Sequence, residues 1–224
     1  MSENSYAIFE SGSMRIRIER ESYPESPLEW DQLGIPACWH ERYSFIPKHL
    51  NKSYGVRIRS AEEMAEWIKE QRKAKIPHAV LGIQFRHGGD SLVAGTFDKD
   101  ADDGALYINQ LRYDELCGGK CMTRRKLWAV LRDILKCEFD AIRAWAEGDV
   151  YGFVRERRVP EAGCCPTCER DSTWEHLDSC WGFYDTDNDM SSVYSVMSEN
   201  WDQDSDDMKA IMQMMRVPVK SGAI

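Results

Sequence analysis

From Ser13 to Glu19, apolar Met14, Ile16 and Ile18 are interleaved with Arg15, Arg17 and Glu19. A period of two predicts a strand with one face buried and the other in water. Tyr23-Pro24-Glu25-Ser26-Pro27 must then be a turn or extended loop, because its prolines lack amide donors and restrict their neighbours. Ser60-Ala61-Glu62-Glu63 has the form of a capping box and predicts a helix through Met64, Trp67 and Ile68, limited by Pro77. Two strands are predicted over His78 to Arg86 and Ser91 to Phe97, joined by the hairpin signal Gly88-Gly89-Asp90, with a third over Ala105 to Leu111.

Thr123 can cap a long helix, in which Leu127, Val130, Leu131, Ile134, Ala141, Ile142 and Trp145 recur mostly at steps of three and four. Gly148 is placed to end it. Two more strands are expected over Asp149 to Glu156 and Trp174 to Tyr184, with a cysteine-bearing connection at 160–173. A short terminal helix is expected over Asp206 to Arg216, where Met208, Ile211, Met212 and Met215 share a face. The class is therefore α+β: a mainly antiparallel sheet with a long amphipathic helix packed on it. The expected organisation is a single core over residues 1–184 and an acidic extension over 185–224.

Composition agrees with a packed core. The 224 residues are 42% hydrophobic and include 8 Trp, 9 Tyr and 7 Phe. No basic cluster leads into an apolar run at the start, and no stretch approaches the ~18 apolar residues of a membrane span. An intracellular protein without a membrane partner is the expectation.

The net charge of −9 is unevenly placed. Between Asp171 and Met208 lie Asp171, Glu175, Asp178, Asp185, Asp187, Asp189, Glu199, Asp202, Asp204, Asp206 and Asp207, with no Lys or Arg, so the rest of the chain sums to +2. An acidic whole argues against broad nucleic-acid binding, and the asymmetry points to an acidic flank with its own role. Asp185, Asp187, Asp189, Glu199, Asp202, Asp204, Asp206 and Asp207 are the candidate partner-binding residues. The plainer alternative is a solvated tail that keeps the protein soluble. The methionine face of the terminal helix is open to two readings, internal packing or an adaptable partner surface.

Eight cysteines in an unsecreted chain point to metal ligation or burial rather than disulfides. Cys165-Pro166-Thr167-Cys168 and Cys117-Gly118-Gly119-Lys120-Cys121 resemble knuckle turns, and Cys117, Cys121, Cys165 and Cys168 together would satisfy a tetrahedral zinc ion. The pairs meet if the predicted helix, about 36 Å long at ~1.5 Å per residue, is followed by a strand returning antiparallel to it. A zinc tetrathiolate or a bound phosphate would also offset Lys120, Arg124, Arg125 and Lys126 at the helix start, where the macrodipole disfavours positive charge. Cys165, Cys168, His176 and Cys180 form a competing hairpin pattern, and unligated thiols are the third reading.

Three segments carry a resemblance. They are Glu25-Ser26-Pro27-Leu28-Glu29-Trp30-Asp31-Gln32-Leu33-Gly34 with Cys38-Trp39-His40-Glu41-Arg42-Tyr43, then Gly148-Asp149-Val150-Tyr151-Gly152-Phe153-Val154, then Asp178-Ser179-Cys180-Trp181-Gly182-Phe183-Tyr184. Together they resemble a family of uncharacterised proteins encoded by tailed bacteriophages. The resemblance covers parts of residues 25–184 and departs from the family pattern at 160–173 and after 184. It implies expression in a bacterial cytoplasm and a role accessory to replication or defence evasion, and it transfers no catalytic residue.

Glu29, Asp31, His40 and Arg42 could form an active-site cluster, because a carboxylate can orient a proton-exchanging histidine. The aromatic residues among them favour a structural network instead. No phosphate loop, nucleophile elbow, zinc-protease helix or dinucleotide fingerprint occurs. Asp185-Thr186-Asp187-Asn188-Asp189 begins like a calcium loop, but Met190 stands at its glycine position and Val196 at its bidentate-glutamate position. The expected function is a non-enzymatic phage accessory protein that binds a host or defence protein through an acidic surface imitating nucleic acid. The alternative is a zinc-stabilised nucleic-acid-binding protein.

Overall fold

A computed structural model describes residues 5–46, 58–86, 89, 91–118, 122–160, 172–184, 191–200 and 206–215. In chain order the elements are β1 (Ser5–Ser11), β2 (Met14–Arg20), β3 (Ile35–Cys38), α1 (Ala61–Lys73), β4 (His78–Arg86), β5 (Ser91–Thr96) and β6 (Gly104–Asn109). They continue with α2 (Gln110–Cys117), α3 (Arg124–Glu147), β7 (Val150–Pro160), β8 (Ser172–Tyr184), α4 (Ser191–Asn200) and α5 (Asp206–Met215). The fold is α+β with two antiparallel sheets, ordered β1-β2-β7-β8 and β3-β6-β4-β5. No described helix is long and apolar enough to cross a membrane.

The chain divides into two compact units, residues 1–24 with 148–224 and residues 25–147, rather than at residue 184. Pattern within a segment reports which face is buried, but not which sheet buries it, and two sheets satisfy the same strand signals as one.

In the unit formed by 1–24 and 148–224, the alternation of β2 is realised in full. Ile16 and Ile18 are completely buried. They pack with Tyr151, Phe153 and Phe183 of the sheet and with Val193, Met197, Met208, Ile211 and Met212 of the two terminal helices. The methionine face of α5 is thus core, and α4 and α5 both pack into this unit. The opposite face of the sheet carries a polar array. Glu156 accepts hydrogen bonds from Arg15 Nε at 2.6 Å and Arg17 Nε at 3.1 Å. The Arg15 and Arg158 guanidiniums lie 4.3 and 5.1 Å from the Trp174 ring centroid.

In the unit formed by 25–147, β6 is central and buried on both faces. Leu106 and Ile108 join the cluster of Leu127, Leu131, Leu135, Phe139 and Ile142 from α3. Ala105 and Tyr107 face Met64, Trp67 and Ile68 of α1. The capping of α1 is as expected, with the Ser60 hydroxyl accepting from the Glu63 amide at 3.2 Å, while the Glu63 carboxylate reaches the Arg59 amide at 2.6 Å. Strand β6 stops at Asn109, short of the expected Leu111, because the Asn109 side chain accepts from the Arg112 amide at 3.1 Å and caps α2.

Glu138 of α3 accepts the amides of Leu33 at 2.7 Å and Gly34 at 2.8 Å. Arg112 donates to the carbonyls of Leu33 at 2.6 Å and Gln32 at 2.9 Å. A Cβ on Gly34 would stand 2.5 Å from Glu138 Oε2, so only glycine lets the loop approach so closely. Burial pushes the Glu138 carboxyl above its ordinary range, against the opposing pull of the two amides and Arg112. With the native pKa above the unfolded one, the folded chain holds the proton more tightly between the two values. This contribution is therefore present below the ordinary carboxylate value and is lost as pH rises through the raised one. Replacing Glu138 with Gln leaves one amide unsatisfied at about 1–2 kcal/mol. In urea titrations, the stability gap between wild type and Glu138→Gln is expected to narrow as pH rises from the ordinary carboxylate value through the raised one. A gap independent of pH would show that the carboxyl keeps its ordinary affinity for protons.

Candidate functional site

The segments behind the phage resemblance are structural where they are described. Gly152 sits beneath Trp181, and a Cβ there would come within 2.1 Å of the indole, so two of the segments pack on each other across the β7-β8 bulge. Trp39 Nε1 donates to the Asp102 carbonyl at 2.7 Å.

His40 Nδ1 accepts the amides of Arg42 at 3.2 Å and Tyr43 at 2.9 Å, and its ring stacks on Tyr43 with centroids 4.9 Å apart. The lone pair used by those amides places the neutral ring's proton on Nε2. Nε2 lies 4.0 Å from Asp103 Oδ1, and the other oxygen of Asp103 accepts the Phe85 amide at 2.8 Å. Asp103 had no sequence signal linking it to His40, since the two meet through the β3-β6 pairing. The adjoining hollow, about 510 Å³, is lined by Trp39, His40, Glu41, Arg42, Tyr43 and Asp103. Among the described residues its lining has no Ser, Cys, Thr or Lys nucleophile, and the histidine braces the turn after β3.

Of the four cysteines expected to hold zinc, Cys117 is the exposed last residue of α2, and Gly118 follows in the left-handed region at φ 68°. Cys121, Cys165 and Cys168 lie outside the described residues. Among the described residues no group of three His, Cys, Asp or Glu side chains could hold a metal ion. The hairpin pattern meets an obstacle of its own. His176 registers with Glu156 and Cys180 with Phe153, positions of opposite parity on β7, so the bulge between Arg155 and Glu156 sends them to opposite faces. Cys180 packs against the Phe153 cluster.

Several of the eleven acids are occupied inside the fold. Asp178 takes a two-pronged bond from Arg155 at 3.0 and 2.8 Å, and Glu175 pairs with Arg157 at 3.2 Å. Asp207 accepts the Ser13 amide at 3.0 Å and hydroxyl at 3.1 Å, which fastens α5 to the β1-β2 turn. The Asp206 side chain is 99% exposed, with Lys209 Nζ at 3.6 Å. Glu199 falls in α4 with its side chain outside the description, and Asp185, Asp187, Asp189, Asp202 and Asp204 lie outside the described residues. The basic residues of the alternative reading are also engaged in part, because Arg124 donates to the Lys75 carbonyl.

A second concavity was not foreseen. A cleft of about 750 Å³ in the unit 25–147 is lined by α1, the start of β4, the end of β5 with the turn after it, and α3. It forms because β5 ends opposite Leu81, leaving residues 78–80 of β4 with a registered strand neighbour only on the β6 side. Ala65, Ile68 and Arg72 come from one side of α1, and Trp128 and Arg132, one turn apart, from one side of α3. Sequence could have shown each helical spacing, but not that the two faces border one hollow.

Comparison of the chain with protein-family models, with curated proteins and with solved structures gives no match.

Proposed function

We propose that the chain is a non-enzymatic bacteriophage accessory protein that binds a host or defence protein through its acidic carboxy-terminal segment. The observation that carries this reading is the run of eleven acids without Lys or Arg from Asp171 to Met208. It is supported by the anchoring of α4 through Val193 and Met197 and of α5 through Met208, Ile211 and Met212. Asp202 and Asp204 fall in sequence between these two helices. The complementary partner is a basic surface of the kind that receives duplex phosphates, spaced at about one charge per 1.7 Å.

Glu175 and Asp178 are matched by Arg157 and Arg155, and Asp207 is engaged by Ser13, so they are left out of the proposed surface. Asp185, Asp187, Asp189, Glu199, Asp202, Asp204 and Asp206 remain to form it. Replacing Asp202, Asp204 and Asp206 with Asn is expected to weaken binding to a captured basic partner by at least about tenfold and to flatten its salt dependence. The same affinity and salt slope in the variant would remove the proposal.

A zinc-stabilised nucleic-acid-binding protein is the second reading, and the exposed Cys117 thiol beside the Gly118 turn favours it. Arg155 and Arg157 weigh against it, since both are already matched by Asp178 and Glu175. Zinc in stoichiometric amount in the purified chain, together with salt-sensitive retention on DNA, would move the reading to first place.

A further inference from the structure

We propose that the cleft lined by α1, β4, β5 and α3 is a binding site for a nucleoside phosphate, with the base stacked on Trp128 and the phosphates held by Arg72 and Arg132. It is independent of the acidic segment and of any protein partner.

The first observation is electrostatic. Acids outnumber bases by 38 to 29 in this chain. Arg15, Arg17, Arg20, Arg155 and Arg157 each bond a carboxylate, and Arg112 bonds two carbonyls. Arg72 and Arg132, exposed at the rim of one cleft, have no ion-pair partner among the described residues. Lys99 nearby is matched by Asp100 at 3.2 Å, and Asp98 accepts the Asp100 amide at 3.0 Å. Two unmatched guanidiniums, one from each helix bordering the cleft, suit a compact anion with several oxygens, because each offers a planar fork of donors.

The second observation is aromatic. Trp128 is 38% exposed, although its ring rests against His78 with centroids 5.1 Å apart. His78 is itself fixed. Its Nδ1 is 2.9 Å from the Ile76 carbonyl, and the edge of Trp67 meets its ring at 5.8 Å. A carbonyl can only accept, so Nδ1 carries the proton and Nε2 of the neutral ring is left as an acceptor. The Trp128 indole is therefore a backed platform, and a base laid on it gains stacking without the entropy of ordering a loose side chain.

The third observation is the floor. The cleft volume of about 750 Å³ lies within the range of small-molecule sites. Ala65 and Ile68 supply apolar wall, and the unmatched edge of β4 at residues 78–80 offers main-chain donors and acceptors for the edge of a base. A nucleic-acid duplex is a poorer fit than a single nucleotide. Its extended charge would meet the field of a chain at −9 over a far larger surface than a single nucleotide covers.

The test is calorimetric titration of the full chain with ATP and GTP, with adenosine and inorganic triphosphate as separate arms. Saturable nucleotide binding is expected. Arg72→Ala and Arg132→Ala should each weaken it on the order of tenfold, and Trp128→Ala should weaken it similarly while leaving triphosphate affinity unchanged. Arg72 and Arg132 are exposed, so their variants should keep the wild-type melting temperature, while Trp128→Ala, which also loses the contact with His78, is judged by its unchanged triphosphate affinity. The Asp202, Asp204 and Asp206 replacements should bind nucleotide as wild type does, which separates failure here from failure of the acidic-surface proposal. Absence of saturable binding at millimolar nucleotide, or binding that neither arginine substitution weakens, would overturn the proposal. Equal affinity for ATP and bare triphosphate, unaffected by Trp128→Ala, would also overturn it.

Discussion

Leu131→Ala is expected to destabilise the unit formed by residues 25–147 by about 3–4 kcal/mol. Leu131 is completely buried, at the centre of the α3 stripe that meets Leu106, Ile108, Ile83 and Leu92 of the sheet. Truncation removes the transfer energy of the lost carbons and leaves a hollow that a helix held along its length by Leu127, Leu135, Phe139 and Ile142 cannot collapse to fill. Leu116, 52% exposed on α2, is the matched control, and its replacement by Ala should change stability by less than about 0.5 kcal/mol. Hydrogen exchange at the β4 amides reads this unit separately from the other. If Leu131→Ala left their protection within the range of the control, α3 would not be the helix that closes this core.

Glu156→Gln is expected to cost the other unit about 3 kcal/mol. The carboxylate serves Arg15 and Arg17 together, and its side chain is only 10% exposed while theirs are 19% and 21% exposed. A neutral amide there removes the charge the two arginines share and leaves Arg15 with only Glu10 at 3.7 Å and Arg17 with only Glu19, in a site from which water is largely excluded. Charge rather than shape sets the effect, so replacing Arg15, Arg17, Glu19 and Glu156 together with Leu should recover most of the loss, because desolvation of the whole paired set is then avoided. Urea denaturation followed by hydrogen exchange at β2 and β7 distinguishes the two variants. Glu156→Gln at wild-type stability would mean that the arginines find other partners and that the array is a solvated surface.

The contrast between these sites explains where sequence reasoning succeeded. The stripe of α3 and the alternation of β2 repeat at the period of their own backbone, and the buried faces follow from that repeat. Strand β4 has its predicted bounds for the same reason. The first two residues of α2 fall inside the strand predicted over Ala105 to Leu111, because the apolar run Ala105 to Ile108 and Leu111 fits a strand, and the capping power of Asn109 is visible only when the chain is allowed to turn there. Strand β1 was missed. Ser5–Ser11 has a weak alternation, and its place is set by pairing with β2 and by the terminal helices it covers.

Candidate sites were less legible than elements. The capping roles of Ser60, Thr123 and Gly148 are local and could be assigned from neighbours in the chain. The partner of His40 is 63 residues away, those of Glu138 are 105 and 104 away, and the partner of Asp207 is 194 away. Charge reading counted Glu175, Asp178 and Asp207 as available, because opposite charges on a neighbouring strand or turn do not register in a linear count.

By itself the sequence determined the α+β class, the core faces of the long helix and of the alternating strands, several helix caps and the uneven distribution of charge. Each of these depends on residues within a few positions of one another, where backbone geometry alone relates spacing to direction. Tertiary structure decided the division into two sheets, the burial of the methionine face, the acids engaged by partners, and the cleft between Trp128 and Arg72. Those depend on which surfaces meet, and in a folded chain that choice is made by the packing of the whole.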